Sequence, residues 1–330
     1  MTTRRGLVTT GAAALAAMRP SAVALARDAF PNRPIRILVP YAAGGGQDIT
    51  ARLLAEPIRA ALGQPVVVEN RSGASGMIAA QATAQAAPDG HTLMLGGAGE
   101  TAINQHLFRG RMAYDPLWDL KPVAVAVEVP NVVMANPAAP FASVAELVAH
   151  AKANPDKLSY SSSGIGNPQH LAGELLNHMA GIQTVHVPYR GSGPAVTDIA
   201  AGAVQFGYNS LASGLPLIRK GRIRAIAVTS RERMPQLPDV PAVAEYAALA
   251  DYELVNFFGL FAPAGVPEPV MQRLHSVVAA TLRAPELRGR FEEQGLLVQS
   301  MGLTESRSFV EAESRKSGRI VEDAKITFDG

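Results

Sequence analysis

Beginning at Ile35, short apolar runs rich in β-branched residues alternate with amphipathic stretches. ILVPY predicts a strand, residues 47–62 an amphipathic helix, and PVVVE a second strand ending at Glu69-Asn70. The loop RSGASG leads into the helical MIAAQATAQAA, and HTLMLG is a third strand. Strands alternating with helices of this length imply a parallel sheet covered on both faces. Ligands of such sheets bind at the carboxyl ends of the strands. Gly44 to Asp48, Arg71 to Gly76 and Gly96 to Thr101 would meet there on one rim.

After Pro116, LKPVAVAVEVPNVVMANP is strand-like but interrupted by proline, which suits a chain leaving one domain for another. A second alternating run follows, with helices expected over 143–153, 169–180, 194–201 and 211–219, and strands at LSY, TVHVPY, VQFGY and IRAIAV. ELVNFFGLF, Glu253 to Phe261, reads as a return strand, and the remainder as helical. The fold class is therefore α/β, in two units joined by two crossover strands, an arrangement that makes a hinge.

The turn that closes the first strand carries the first candidate chemistry. IRILVPYAAGGGQD ends in three glycines at the start of a helix, where backbone N–H groups and the helix dipole favour a small anion. A dinucleotide is a poor fit. The sixth position counted from Gly44 is Ile49 rather than glycine, and Asp48 would place a negative charge beside a pyrophosphate. The loop Tyr160 to Asn167 repeats the same logic in the second unit: a strand end, serines and glycines, then a helix starting near Pro168.

Composition narrows the partners. The chain has 330 residues, enough for two cores, with 48% hydrophobic and 18% charged residues and a net charge of +2. That small basic excess gives no broad electrostatic argument for nucleic acid. There is no cysteine, so disulfides, thiolate metal sites and a cysteine nucleophile are excluded. Thr3-Arg4-Arg5-Gly6-Leu7-Val8 followed by GLVTTGAAALAAM and Ala24-Leu25-Ala26 reads as a twin-arginine-like export signal cleaved near Ala26.

Catalytic and metal-binding alternatives find less support. His170, Glu174 and His178 share a helical face, yet eight residues of helix span roughly 12 Å, too far for one ion. Serines are plentiful, but there is no G-x-S-x-G elbow and no S-x-x-K. Serines in glycine-rich loops before helices serve more often as caps and donors. No catalytic residue, metal or cofactor is assigned.

The blocks RPIRILVPYAAGGGQDITARLLA, QPVVVENRSGASG, PDGHTLMLG, LSYSSSGIGNPQHLAGELL, VHVPYRGSGPAVTDIAAGAVQF, GRIRAIAVTSRERMPQLPDVPAVAEY and FFGLFAPAGVP together resemble the tripartite tricarboxylate transporter substrate-binding proteins, or Bug receptors. The resemblance covers nearly the whole mature chain. It implies a non-enzymatic, periplasmic, two-domain Venus-flytrap receptor, expected to be monomeric. Such a receptor captures a small carboxylate, whether an organic acid, an acidic amino acid or an aromatic carboxylate, and delivers it to a cognate membrane permease. The expected layout is a signal at 1–26, a first domain of 27–127 with 255–330, and a second domain of 128–254.

Carried onto this sequence, the family's ligand positions in the first domain are Tyr41, Ala43, Gly44, Gly45, Gln47 and Asp48, with Ser72, Gly73 and Ala74. The second domain contributes Ser161, Ser163, Gly164, Asn167 and His170, then Tyr189, Arg190 and Gly191, and Asn209. Gln47, Ser72, Met77, Asn209 and Phe258 depart from the residues common in the family, so ligand preference does not transfer. Two rival readings are an exported hydrolase using a serine of Ser161 to Ser163, and a sensory receptor for a membrane kinase.

Overall fold

The computed structural model describes residues 30–327, so the expected export signal lies outside the described residues. The first sheet is built from β1 (Ile35–Val39), β2 (Val66–Asn70) and β3 (Thr92–Gly97), parallel to one another in the order β2-β1-β3. Between them run α1 (Gly46–Leu62) and α2 (Met77–Ala84), as the alternation predicts. After β3 comes a π-helical turn, Gly99–Ile103, then a short α3 (Asn104–Leu107).

The chain next enters β4 (Leu120–Ala135), one continuous strand that corrects the expectation of a proline-interrupted segment. Proline lacks an N–H donor and is tolerated in a sheet at bulges and where a ladder ends. Pro122 sits at a register shift, and Pro130 sits where the partner changes. Up to Pro130 the strand pairs antiparallel with β9 (Val255–Pro263), whereas from Asn131 it pairs with β7 (Phe206–Ser210) and β8 (Arg224–Val228). One strand thus belongs to two sheets.

The second sheet adds β5 (Ser159–Ser162) and β6 (Val185–Pro188), parallel to each other, with β5 also parallel to β7. Its helices are α4 (Val144–Ala153), α5 (Pro168–Ala180), α6 (Ser192–Ala201) and α7 (Leu211–Arg219). Ser143 caps α4 by accepting the Glu146 amide at 3.2 Å, as an N-cap serine should. β9 returns the chain to the first sheet, where α8 (Glu268–Arg283), α9 (Pro285–Glu293), β10 (Leu297–Val298) and α10 (Leu303–Asp323) complete it. The sequence reading found α8 and α10 but not α9 or β10, whose two residues give too short an apolar run to stand out.

Alternation along β4 shows how the core is shared. Val132 and Met134 face α6 and α7 with Val196, Ile199 and Leu215, while Val133 and Ala135 face the opposite side with Tyr160, Phe206 and Tyr208. Ile35, Ile37 and Val39 of β1 pack with Leu54 and Ile58 of α1 and Leu274 of α8. The period of two puts successive side chains on opposite faces, so the inner strands are buried on both faces, whereas the edge strands β2 and β6 leave Val67 and Val185 exposed.

Candidate functional site

β1 ends at Val39 and the chain turns into α1 through Gly44, whose φ of +80° lies in the region glycine occupies without strain. Asp48, 4% exposed in the first turn of α1, holds this turn together. Its carboxylate accepts the Gly44 amide at 3.0 Å, Asn70 Nδ2 at 3.0 Å and Arg52 Nε at 3.0 Å. Asn70 Nδ2 also donates to the Tyr41 carbonyl at 3.0 Å. Burial works to raise the Asp48 pKa, but the hydrogen bonds of Arg52, Gly44 and Asn70 outweigh it and hold the carboxyl below its usual value. Asp48 therefore spends its acceptor capacity on ordering the turn.

Beneath the turn lies Glu100, 1% exposed, on the π-helical segment after β3. Its Oε1 accepts the Gly97 amide and Gln47 Nε2, the latter at 2.8 Å, and Oε2 faces the Tyr41 hydroxyl at 3.1 Å. Burial pushes this carboxyl up to about 7, against the opposing pull of those hydrogen bonds. Gln47 is thus committed to Glu100 in this structure.

The second unit presents a turn made of neutral groups. The Ser163 hydroxyl donates to Gln169 Oε1 at 2.9 Å and accepts Asn167 Nδ2 at 3.0 Å. The Tyr41 hydroxyl donates across the cleft to Asn167 Oδ1 at 2.6 Å, and the Ala42 amide donates to the Arg190 carbonyl at 3.0 Å. Gly193 lies so close to the first turn that a Cβ there would be 2.7 Å from the Ala43 carbonyl oxygen. The two turns are in direct contact.

Behind the second turn, the rings of Tyr160, His186 and His170 form a stack, with centroids 4.9 Å and 4.1 Å apart. His170 Nδ1 accepts the Gly166 amide at 3.3 Å, which fixes the loop. Burial depresses His170 to about 4, and burial with the neighbouring ring depresses His186 to about 3, so both are neutral near pH 7. Ser162 Oγ is 2.6 Å from His186 Nε2, a spacing that superficially suits a nucleophile and base. Ser162 is fully buried, and neither residue lines the cleft.

Two adjoining cavities share Tyr41 and Ser163 as a common wall. The narrow one, with about 20 Å³ of free volume, is lined by Gly45, Gln47, Asp48 and Asn167 from the expected set. The wider one, about 460 Å³, is lined by Ser72, Gly73, Ala74, Gly164, Tyr189 and Arg190. Other expected residues lie behind these walls. Ala43 and Gly44 turn their backbone to Gly193 and Asp48, and Gly191 packs on Tyr41 and Ala42. Ser161 packs on Gly207, and His170 is held in the ring stack. Asn209 is fully buried on β7, and both polar atoms of its side chain lack a protein partner.

The narrow cavity wall also carries Gln169, Ser192 and Asn256, which the sequence does not single out, together with Ser210 and with Glu100, expected on the rim only as part of the loop Gly96 to Thr101. Ser192 and Ser210 sit at strand-to-helix junctions, the same signal that marked Ser163. Glu100 was visible as a single charge inside the otherwise small and apolar GGAGETAI.

Residues 50–326 match the model of the tripartite tricarboxylate transporter family receptor, and the chain belongs to that family. It is 32% identical over 302 residues to Protein BugT of Bordetella pertussis, covering 92% of each chain. Among solved structures it is similar to an R. palustris protein with adipate, at 35% identity and a TM-score of 0.88, covering 90% of this chain and 99% of that one. MatC from Rhodopseudomonas palustris with bound malate matches at 33% identity and a TM-score of 0.84, covering 88% and 100%. The chain is thus a solute-binding receptor with the two-domain periplasmic-binding-protein fold, not an enzyme, and the hydrolase reading falls.

Proposed function

We propose that this receptor closes on a small organic carboxylate between its two domains in the periplasm and delivers it to a cognate membrane permease. The twin-arginine-like leader would export it, as a monomer. The observation that carries the reading is the convergence of two strand-to-helix turns, one from each sheet, linked by the Tyr41–Asn167 hydrogen bond. Among the described residues no cation lines the narrow cavity, so the anion would be held by dipoles: the first amides of α1, the Ser72–Ala74 loop, Ser163, Asn167 and the Tyr189–Gly191 turn, with Arg190 at the wider mouth. Four or five such bonds at roughly 1.5–3 kcal/mol each, less ordering costs, reach the micromolar range.

The domains would be residues 27–127 with 255–330, and 128–254, hinged where β4 changes partners at Pro130–Asn131. The Thr229–Val255 segment is the second crossing, tied to Asn131 by the Thr229 amide at 2.9 Å. The narrow cavity holds roughly one water by volume, so ligand entry requires the turns to part. The reading is tested by a thermal-shift screen of the mature chain against mono-, di- and tricarboxylates, because a ligand of the folded state raises Tm. The expected result is a concentration-dependent rise with at least one acid, confirmed by calorimetry. No rise and no binding heat with any of them would overturn it.

A further inference from the structure

Glu100, 1% exposed, is part of the wall of the narrow cavity between the two turns. A carboxylate has about four acceptor directions. The Gly97 amide and Gln47 Nε2 use those of Oε1. The backbone amide of Glu100 itself gives the carboxyl a further bond. Oε2 faces the Tyr41 hydroxyl at 3.1 Å, and that hydroxyl owns one proton for three acceptors: Asn167 Oδ1 at 2.6 Å, Glu100 at 3.1 Å and the Ser75 carbonyl at 3.2 Å. The shortest bond claims the proton, so of its roughly four acceptor directions the carboxyl keeps one for a ligand.

Among the described residues, no cationic side chain lines the narrow cavity beside it. Asp48 shares the cavity but is paired with Arg52. The Tyr114 hydroxyl donates to the Glu100 carbonyl, not to its carboxyl. α2, β3 and β9 carry no ionisable side chain, and His106 on α3 is directed to Ser314. α10 brings Glu313 and Lys316 to a separate hollow beside Ala98 and Ile103. On α5, His170 is stacked on His186, and Glu174 is bonded to Tyr160.

Resting on the receptor reading, we propose that Glu100 is a specificity-determining residue that makes the cleft prefer carboxylates bearing a hydrogen-bond donor, an ammonium or a hydroxyl, at the end facing it, over plain dicarboxylates. A donor completes the acceptor set of Oε2 with a charge-assisted bond, whereas a second carboxylate meets a like charge in a water-poor space. Burial pushes the Glu100 carboxyl up to about 7. Below that pH it carries a proton and can donate to a second carboxylate, so dicarboxylate binding strengthens on acidification and takes up a proton.

The test is calorimetry on the mature chain with the dicarboxylates from malonate to adipate and their ω-amino and ω-hydroxy counterparts, at pH 6 and pH 8. At pH 8 the donor-ended acids should bind at least about tenfold more tightly than the dicarboxylate of equal length, a factor that a modest like-charge repulsion supplies. At pH 6 the gap should shrink, with dicarboxylate heats that depend on the buffer's ionisation enthalpy. Glu100→Gln should abolish both the gap and its pH dependence, and the wild-type series decides the matter if that variant does not fold. Equal affinities at both pH values, without proton uptake, would overturn the role of Glu100 while leaving the receptor reading intact. Absence of binding by every acid, here and in the wider screen, would remove both.

Discussion

In the first turn the ordering group is ionic: Asp48 collects Arg52, Asn70 and the Gly44 amide, and a second carboxyl, Glu100, lies below it. In the second turn the ordering groups are Ser163, Asn167 and Gln169, all neutral, backed by two histidine rings held uncharged in a stack with Tyr160. Both turns present donors to the space between them, yet they keep those donors in place by different means. A turn ordered by charge responds to salt and to carboxylate protonation, and a turn ordered by neutral contacts responds to the charging of what lies behind it. The histidines behind the second turn and Glu100 below the first should therefore tilt stability in opposite directions across overlapping pH windows, while Asp48 adds a loss at lower pH, where its depressed carboxyl protonates.

The largest expected effect is on the acid side. The folded pKa values of His170 and His186, about 4 and about 3, lie below the ordinary 6.5. The unfolded chain thus binds the extra protons first, and stability is lost as pH falls from about 6.5 through 4. His170 alone contributes roughly 3 kcal/mol across that window, and His186 adds to it. Glu100 opposes this slope over much of the same range, so the check is the difference between denaturant melts of the wild type and of His186→Phe, which keeps a ring in the stack and should flatten the acid limb. An unchanged slope would mean that the rings are not held neutral by their burial. On the other side, Glu100 has a folded pKa raised from 4.5 to about 7, so the folded state binds the extra proton. Stability then falls as pH rises from 4.5 through 7, by roughly 3 kcal/mol, and Glu100→Gln should remove that fall. If the variant retained the wild-type alkaline slope, another group would carry it.

The alternation of strands and helices made most of the architecture legible, because period-two runs such as IRILV and amphipathic stretches such as ITARLLAEPIRAAL state their own geometry. The glycine turns were legible for the same local reason. β4 was misread as interrupted because a proline's tolerance depends on where the ladder changes partners, and that is a property of the tertiary fold. The wall residues were partly hidden for a similar reason. Asp48 lines the narrow cavity as its place at the helix start suggests, but its bond to Asn70, from the end of the next strand, is a tertiary contact that no local spacing shows. The role of Gln47 depended on Glu100, 53 residues away, which no local spacing connects to it. The burial of Asn209, set by its pairing with Val132 on β4, is likewise a tertiary property that its place at a strand end does not show.

Smaller effects separate closure from folding. Gly193→Ala puts a methyl 2.7 Å from the Ala43 carbonyl, backbone against backbone across the cleft, so something must move. If the two turns belong to separate domains, the cheapest movement is to part them. Ligand affinity should then drop by roughly 1–3 kcal/mol while the unfolding midpoint without ligand barely changes. The reverse pattern, lost stability with affinity intact, would place the contact inside one rigid body.

Tyr41→Phe should have the smallest effect and tests the link between the two sides most directly. The phenol donates to Asn167 on one side and sits 3.1 Å from Glu100 Oε2 on the other, so its removal leaves the Asn167 carbonyl oxygen short of a donor. Losing one such neutral bond costs about 1 kcal/mol, which should appear as a roughly fivefold loss of ligand affinity. The hydroxyl also helps to pull the Glu100 pKa down. Without it that pKa should rise further above 7, so the loss of stability with rising pH should extend to more alkaline values. The acid limb belongs to His170 and His186 behind the other turn and should stay where it is. A shift of both limbs would show that the two turns are not electrostatically independent, and the contrast between them would have to be redrawn around Tyr41.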